Sequence, residues 1–238
     1  MVLDIYKQRR LDALATLVDS LHLDAILLMT PLNLFYFAGF RTSLYTRFNG
    51  LLVRKDGSML FITSYIDERL AKDEVSDNVW IHDIRIYGPF GRPEVTKTYQ
   101  NILKPELFAA HQLGVDAITL TQFFELKAAF PDLLIKEITT NLMPIRRCKD
   151  PDEVENIRRA SQIGIACMQR AREIIACPKL TQIDLGAELE FQSRRLGADG
   201  VGYPVLISAG EKITAPHAPL LRSPIGNAPF VRIALAPT

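Results

Sequence analysis

Strong net charge, a cysteine framework and a long apolar run are all missing from these 238 residues, and each absence removes a class of protein. Lysine plus arginine balance aspartate plus glutamate to a formal net charge of +1. Basic residues go no further than short pairs such as Arg9-Arg10, Arg146-Arg147 and Arg158-Arg159, so no electrostatic footprint for nucleic acid is present. The three cysteines, Cys148, Cys167 and Cys177, are odd in number, show no CxxC spacing and have no histidines nearby. They read as reduced, cytosolic thiols without a metal or disulfide role. No apolar stretch approaches membrane-spanning length, and the opening "MVLDIYKQRRLDALATLVDS" carries acidic residues where a signal peptide needs an unbroken apolar core. A cytoplasmic protein with no nucleic-acid or membrane partner is expected.

What is present is a globular pattern, 48% hydrophobic, with no internal repeat and no low-complexity segment. Leu11, Leu14, Leu17, Val18 and Leu21 form a helical stripe that runs into the short strand "DAILLM". "NGLLVRKDGSMLFIT" reads as a hairpin about Lys55-Asp56-Gly57. A helix over "YIDERLAKDEV" and a strand over "NVWIHDIRIY" follow, with Val79, Ile81, Ile84 and Ile86 marking its buried side; "GPFGRPEV" then breaks regular structure. "QLGVDAITLTQFFELKAAFPDLLIKEI" gives strand, helix and strand, so the first part of the chain is an α/β domain.

The character changes near residues 141 to 150. Asp150, Pro151 and Glu153 make a helix start with a capping box, and Val154, Ile157, Ser161, Ile165, Met168 and Ala171 recur at helical spacing to about Ile175. Thr181 and Asp184 open a second capped helix that ends at Gly197. "GADGVG" lacks the Lys-Ser/Thr of a phosphate loop and follows a helix, so its glycines read as turn residues. A strand, "YPVLISA", leads to "ITAPHAPL", where His217 stands between two prolines, either as a catalytic base or as a polar residue of an irregular loop. His22, His82 and His111 read as surface residues with no spacing for metal ligation.

"NLFYFAGF", "IRRCKDPDEVENIRRA", the helix pair and "LISAG…PHA" together, in this order, resemble the creatinase/prolidase/aminopeptidase P family of pita-bread hydrolases over essentially the whole chain. The resemblance implies a creatinase-type α/β domain over residues 1–141, followed by part of an α+β pita-bread catalytic domain over residues 142–238. It further implies a homodimer in which a loop of one N-terminal domain reaches the partner's active site. In such proteins the histidine matching His217 contacts substrate and shuttles protons.

In the metal-dependent members a "VxIDxG" strand follows this histidine, and its aspartate begins the set of ligands that holds two divalent metals, Mn or Zn. Counted forward without gaps, that aspartate is replaced by Ala234, which has no oxygen to offer a cation. Creatinase itself works without metal, with a histidine as general base and acid, a task suited to an imidazole near neutral pH. The expected function is therefore hydrolysis of C–N bonds in a small or dipeptide-like substrate, without a cofactor. His217 would be catalytic; Arg47, with Arg41, Tyr45 and Phe48 in the loop after "FAGF", would meet a substrate carboxylate, and Tyr203 would line the pocket. The alternatives are a metal-dependent Xaa-Pro peptidase and a non-catalytic family member that acts by binding. Because "FVRIALAPT" breaks off inside the expected sheet, the chain is also expected to be a truncated piece of a longer hydrolase.

Overall fold

In the computed structural model, residues 2–42, 47–75, 81–88, 98–226 and 228–238 are described. They fall into two compact units, Met1–Cys148 and Lys149–Thr238. The division lies inside the 141–150 interval; it comes after Asn141 because Leu142 is buried in the first unit's core.

The first unit is built on a six-stranded mixed sheet in the order β4-β3-β2-β1-β5-β6. Its strands are β1 (Ala25–Leu28), β2 (Gly50–Arg54), β3 (Met59–Ser64), β4 (Asp83–Tyr87), β5 (Gln112–Val115) and β6 (Leu134–Glu137). Every residue of β1 is buried, as a strand covered on both faces requires. Ile26 and Leu28 point to one layer with α1 (Val2–Ser20), α2 (Pro31–Ala38), α3 (Glu68–Val75) and α6 (Thr139–Arg147). Ala25 and Leu27 point to the other, with α4 (Tyr99–Glu106) and α5 (Leu120–Ala129). Period-two alternation thus divides one apolar run between two cores. The β2–β3 hairpin turns where the sequence places it: Gly57 takes φ +81°, and Asp56 accepts the Ser58 N–H at 2.9 Å. Of the strand predicted over "NVWIHDIRIY", Asp83–Tyr87 is formed, and Val79 lies outside the described residues.

Helix α2 falls on "NLFYFAGF" and ends for a local reason. Gly39 adopts φ +74°, its N–H bonds the Phe35 carbonyl at 3.0 Å, and the Phe40 N–H bonds that of Leu34 at 3.3 Å. The bond from the Gly39 N–H to the Phe35 carbonyl makes this a left-handed αL ending, and only a residue without Cβ takes that conformation without cost. The chain then drops Phe40 into the core and leaves toward Arg41.

The second unit holds α7 (Pro151–Ile174), α8 (Gln182–Arg195), the antiparallel pair β7 (Leu206–Ala209) and β8 (Val231–Ala234), and a short 3-10 helix, Gly210–Thr214. Both capping boxes form. The Glu153 carboxylate accepts the Asp150 N–H at 2.8 Å, while Thr181 and Asp184 exchange bonds at 3.1 and 3.2 Å. One expectation changes. Of the α7 stripe, Val154, Ile157, Ser161, Ile165 and Met168 are exposed, while its last member, Ala171, is buried together with Cys167 in a cluster with Leu185 and Leu189 of α8. The helix has two apolar faces; within this unit only one meets α8 and the hairpin, and the other borders a groove of about 770 Å³ with Leu235, Ala236 and Pro237.

Candidate functional site

The residues singled out in the sequence are distributed over both units. In the second, β7 leads through Gly210–Thr214 into a turn at Pro216-His217. Two anchors hold this segment: Ser208 Oγ donates to the Ala215 carbonyl at 3.3 Å, and the Leu221 N–H donates to the Gln182 side chain at 3.2 Å, at the start of α8. Between them the Ala218 N–H closes on the Ala215 carbonyl at 3.2 Å, with His217 on the exposed side. The imidazole has no hydrogen bond or ion pair among the described residues. A side chain on an anchored turn, with both ring nitrogens unengaged, is available to a ligand.

Ala234 pairs with Leu206, while Ala209, from which the His217 segment departs, pairs with Val231. The position of the expected first metal ligand and the exit toward His217 therefore stand at opposite ends of a short ladder. Tyr203 is at the Ala234 end: Gly202 N–H bonds the Ala236 carbonyl at 2.7 Å, and Tyr203, 43% exposed, follows it. Among the described residues no three His, Cys, Asp or Glu side chains are grouped to hold a metal ion. Ala234, at the position counted for the first ligand, offers only a methyl group.

In the first unit, Arg41 is fixed by its backbone, whose N–H donates to Glu74 at 2.7 Å, and its guanidinium lies 6.0 Å from the Phe35 ring centre. Tyr45 lies outside the described residues. Arg47 is exposed and borders a depression with Phe48, Tyr87, Tyr99 and Glu125. The last three were not singled out in the sequence. Tyr87 and Tyr99 come from β4 and α4, so no linear spacing links them. His22, His82 and His111 are exposed and far apart in sequence, as their positions suggest.

Burial pushes Tyr87 up to about 12, and burial together with the bond to Glu125 pushes Tyr99 up as well, so both phenols stay protonated donors. On α4, Glu106 is pushed up by burial, but accepts from Arg54 of β2 and Arg85 of β4, which together hold its carboxyl below the usual range. This network ties α4 to the sheet.

Residues 10–148 match the family model for the Creatinase/Prolidase N-terminal domain. The putative dipeptidase YkvY of Bacillus subtilis (strain 168) is 23% identical over 202 residues, which cover 81% of this chain and 52% of that protein. An uncharacterized peptidase of Staphylococcus haemolyticus is 22% identical over 194 residues. The chain thus spans about half the length of the curated relatives it matches. Among solved structures, the prolidase of Pyrococcus furiosus matches with a TM-score of 0.76 at 19% identity, over 91% of this chain and 62% of that one. The Xaa-Pro dipeptidase of Bacillus anthracis matches with 0.77 at 19% identity, over 96% and 60%. The fold is that of an α/β creatinase-type domain followed by part of a pita-bread domain, and the chain belongs to the creatinase/prolidase family.

Proposed function

We propose that this chain is part of a hydrolase that cleaves C–N bonds in small amino-acid-like substrates, with His217 as general base and acid and without a metal. The observation that carries the reading is the anchored turn that presents an unpartnered His217 in a family of peptidase-like proteins, together with Ala234 where a ligand is expected. In the first step His217 takes a proton from water as its oxygen attacks the carbon bound to nitrogen. In the second it returns that proton to the leaving nitrogen as the C–N bond breaks, which regenerates the neutral imidazole and balances the hydrolysis. Arg47 supplies the cation for a substrate carboxylate, presented across a homodimer, with Arg41 behind it and Tyr203 at the pocket wall.

The names of the relatives, a putative dipeptidase and an Xaa-Pro dipeptidase, favour a dipeptide as the substrate and keep a metal-dependent Xaa-Pro peptidase as the second reading. In the natural full-length protein, His217→Ala is expected to lower kcat on a dipeptide substrate by about a hundredfold or more, the range of a lost general base. An unchanged kcat would remove His217 from the mechanism.

A further inference from the structure

The depression beside Arg47 is a built feature of the first unit, about 390 Å³ in volume and at the small end of ligand pockets. Its apolar floor is fixed. Phe48 and Tyr99 stack with ring centres 3.7 Å apart and 8° between planes, and Tyr87 meets both edge-on at 6.3 and 6.0 Å. The Tyr87 hydroxyl donates to the Phe48 carbonyl at 3.0 Å, so the rings hold one another without a ligand. Such preorganisation lowers the cost of binding.

The polar groups around the floor are of two signs. Among the described residues Arg47 has no hydrogen bond or ion pair, and its five N–H donors remain for a carboxylate. Glu125 takes the Tyr99 hydroxyl at 2.6 Å and the Gln100 amide at 3.4 Å, both on Oε2, which leaves Oε1 for a further donor. Both charges act on the Tyr87 hydroxyl in opposite senses. Gln122 turns its oxygen to the Thr119 N–H and hydroxyl at 2.8 and 3.0 Å, so its remaining valence is the amide NH2. A lone anion would meet Glu125 and a lone cation would meet Arg47; a molecule bearing both charges satisfies each.

We propose that Arg47, the Phe48–Tyr87–Tyr99 floor and Glu125 bind a dipeptide-sized zwitterion within the first unit itself, its carboxylate on Arg47 and its ammonium on Glu125. The ligand class rests on the amino-acid-like chemistry of the reading above, but the site needs neither His217 nor a second protomer, and a carboxylate held on Arg47 here competes with the one that reading gives to Arg47. A ligand held here is bound by charge pairing, with the Glu125 carboxylate taken up by the ligand's ammonium and the Tyr99 hydroxyl.

The 238-residue chain is titrated by calorimetry with glycylproline, glycylprolinamide and N-acetylglycylproline, with circular dichroism confirming that each variant is folded. Saturable one-to-one binding of glycylproline is expected. It should weaken at least about tenfold when either end of the ligand is neutralised, and likewise in Arg47→Ala and Glu125→Gln. Binding in His217→Ala should equal that of the unaltered chain. Absence of saturable binding, binding indifferent to both first-unit substitutions, or binding abolished by His217→Ala would each overturn the site. If the binding pattern holds while the full-length protein shows no hydrolysis, the hydrolytic reading falls and this site stands; hydrolysis without Arg47-dependent binding gives the reverse.

Discussion

Asp24, between α1 and β1, accepts the backbone N–H groups of His111 at 2.7 Å and Gln112 at 2.9 Å on one carboxylate oxygen. These two bonds hold its carboxyl below the usual range, the Gln112 bond contributing most, and burial opposes them. A carboxyl whose folded pKa lies below its unfolded value near 3.9 lends stability that is complete above that value and is lost as pH falls through the folded one. Asp24→Asn is therefore expected to cost about 1 kcal/mol at pH 7, with the difference from wild type narrowing below pH ~4. Urea unfolding at the two pH values measures this. At the same scale, the turn that carries His217 is legible in the sequence because two prolines and a preceding strand frame it. Tyr99 and Glu125 are not, since their bond joins α4 to α5 and leaves no trace in linear order.

Among the elements, α2 owes its position to one buried side chain. Asp116, just past β5, accepts from the Met29 N–H at 2.8 Å, the Thr30 N–H at 2.9 Å, the Thr30 hydroxyl at 2.7 Å and the Asn33 amide at 2.9 Å. Asn33 in turn accepts from Arg146 of α6 at 3.1 Å, so α2, β1, β5 and α6 meet at this point. Asp116→Ala would strand several buried donors and is expected to destabilise the protein by about 3 kcal/mol or more, read as a lower urea midpoint. Asp116→Asn should recover part of that loss through its remaining oxygen.

The capped helices α7 and α8 and the β2–β3 hairpin were legible because their signals are local: box residues at fixed spacing and a glycine with positive φ. Helix α2 shows in the sequence as a motif and not as a helix, and Pro144 interrupts the pattern that would reveal α6. α4 is equally hidden, as it is short and contains Pro105. The stripe on α7 shows the limit of periodicity, which reports that a face is apolar and not what covers it.

At the level of the molecule, the ordered motifs carried the family, since they sample both units, and the matched N-terminal domain agrees with them. The proposed chemistry is less legible, because it depends on where an imidazole, a substrate and a water meet, and function resides in such a site more than in the fold. In the proposed reading, Ala234 at the position expected for a ligand separates metal-free hydrolysis from the metal-dependent alternative. The measurement that tests this most directly is dipeptide hydrolysis by the natural full-length protein before and after exhaustive chelation, with metal content determined on the same sample. Metal-free C–N hydrolysis predicts a rate that survives chelation, with less than stoichiometric metal bound. Activity abolished by chelation and restored by Mn or Zn, with stoichiometric metal in the purified protein, would contradict it.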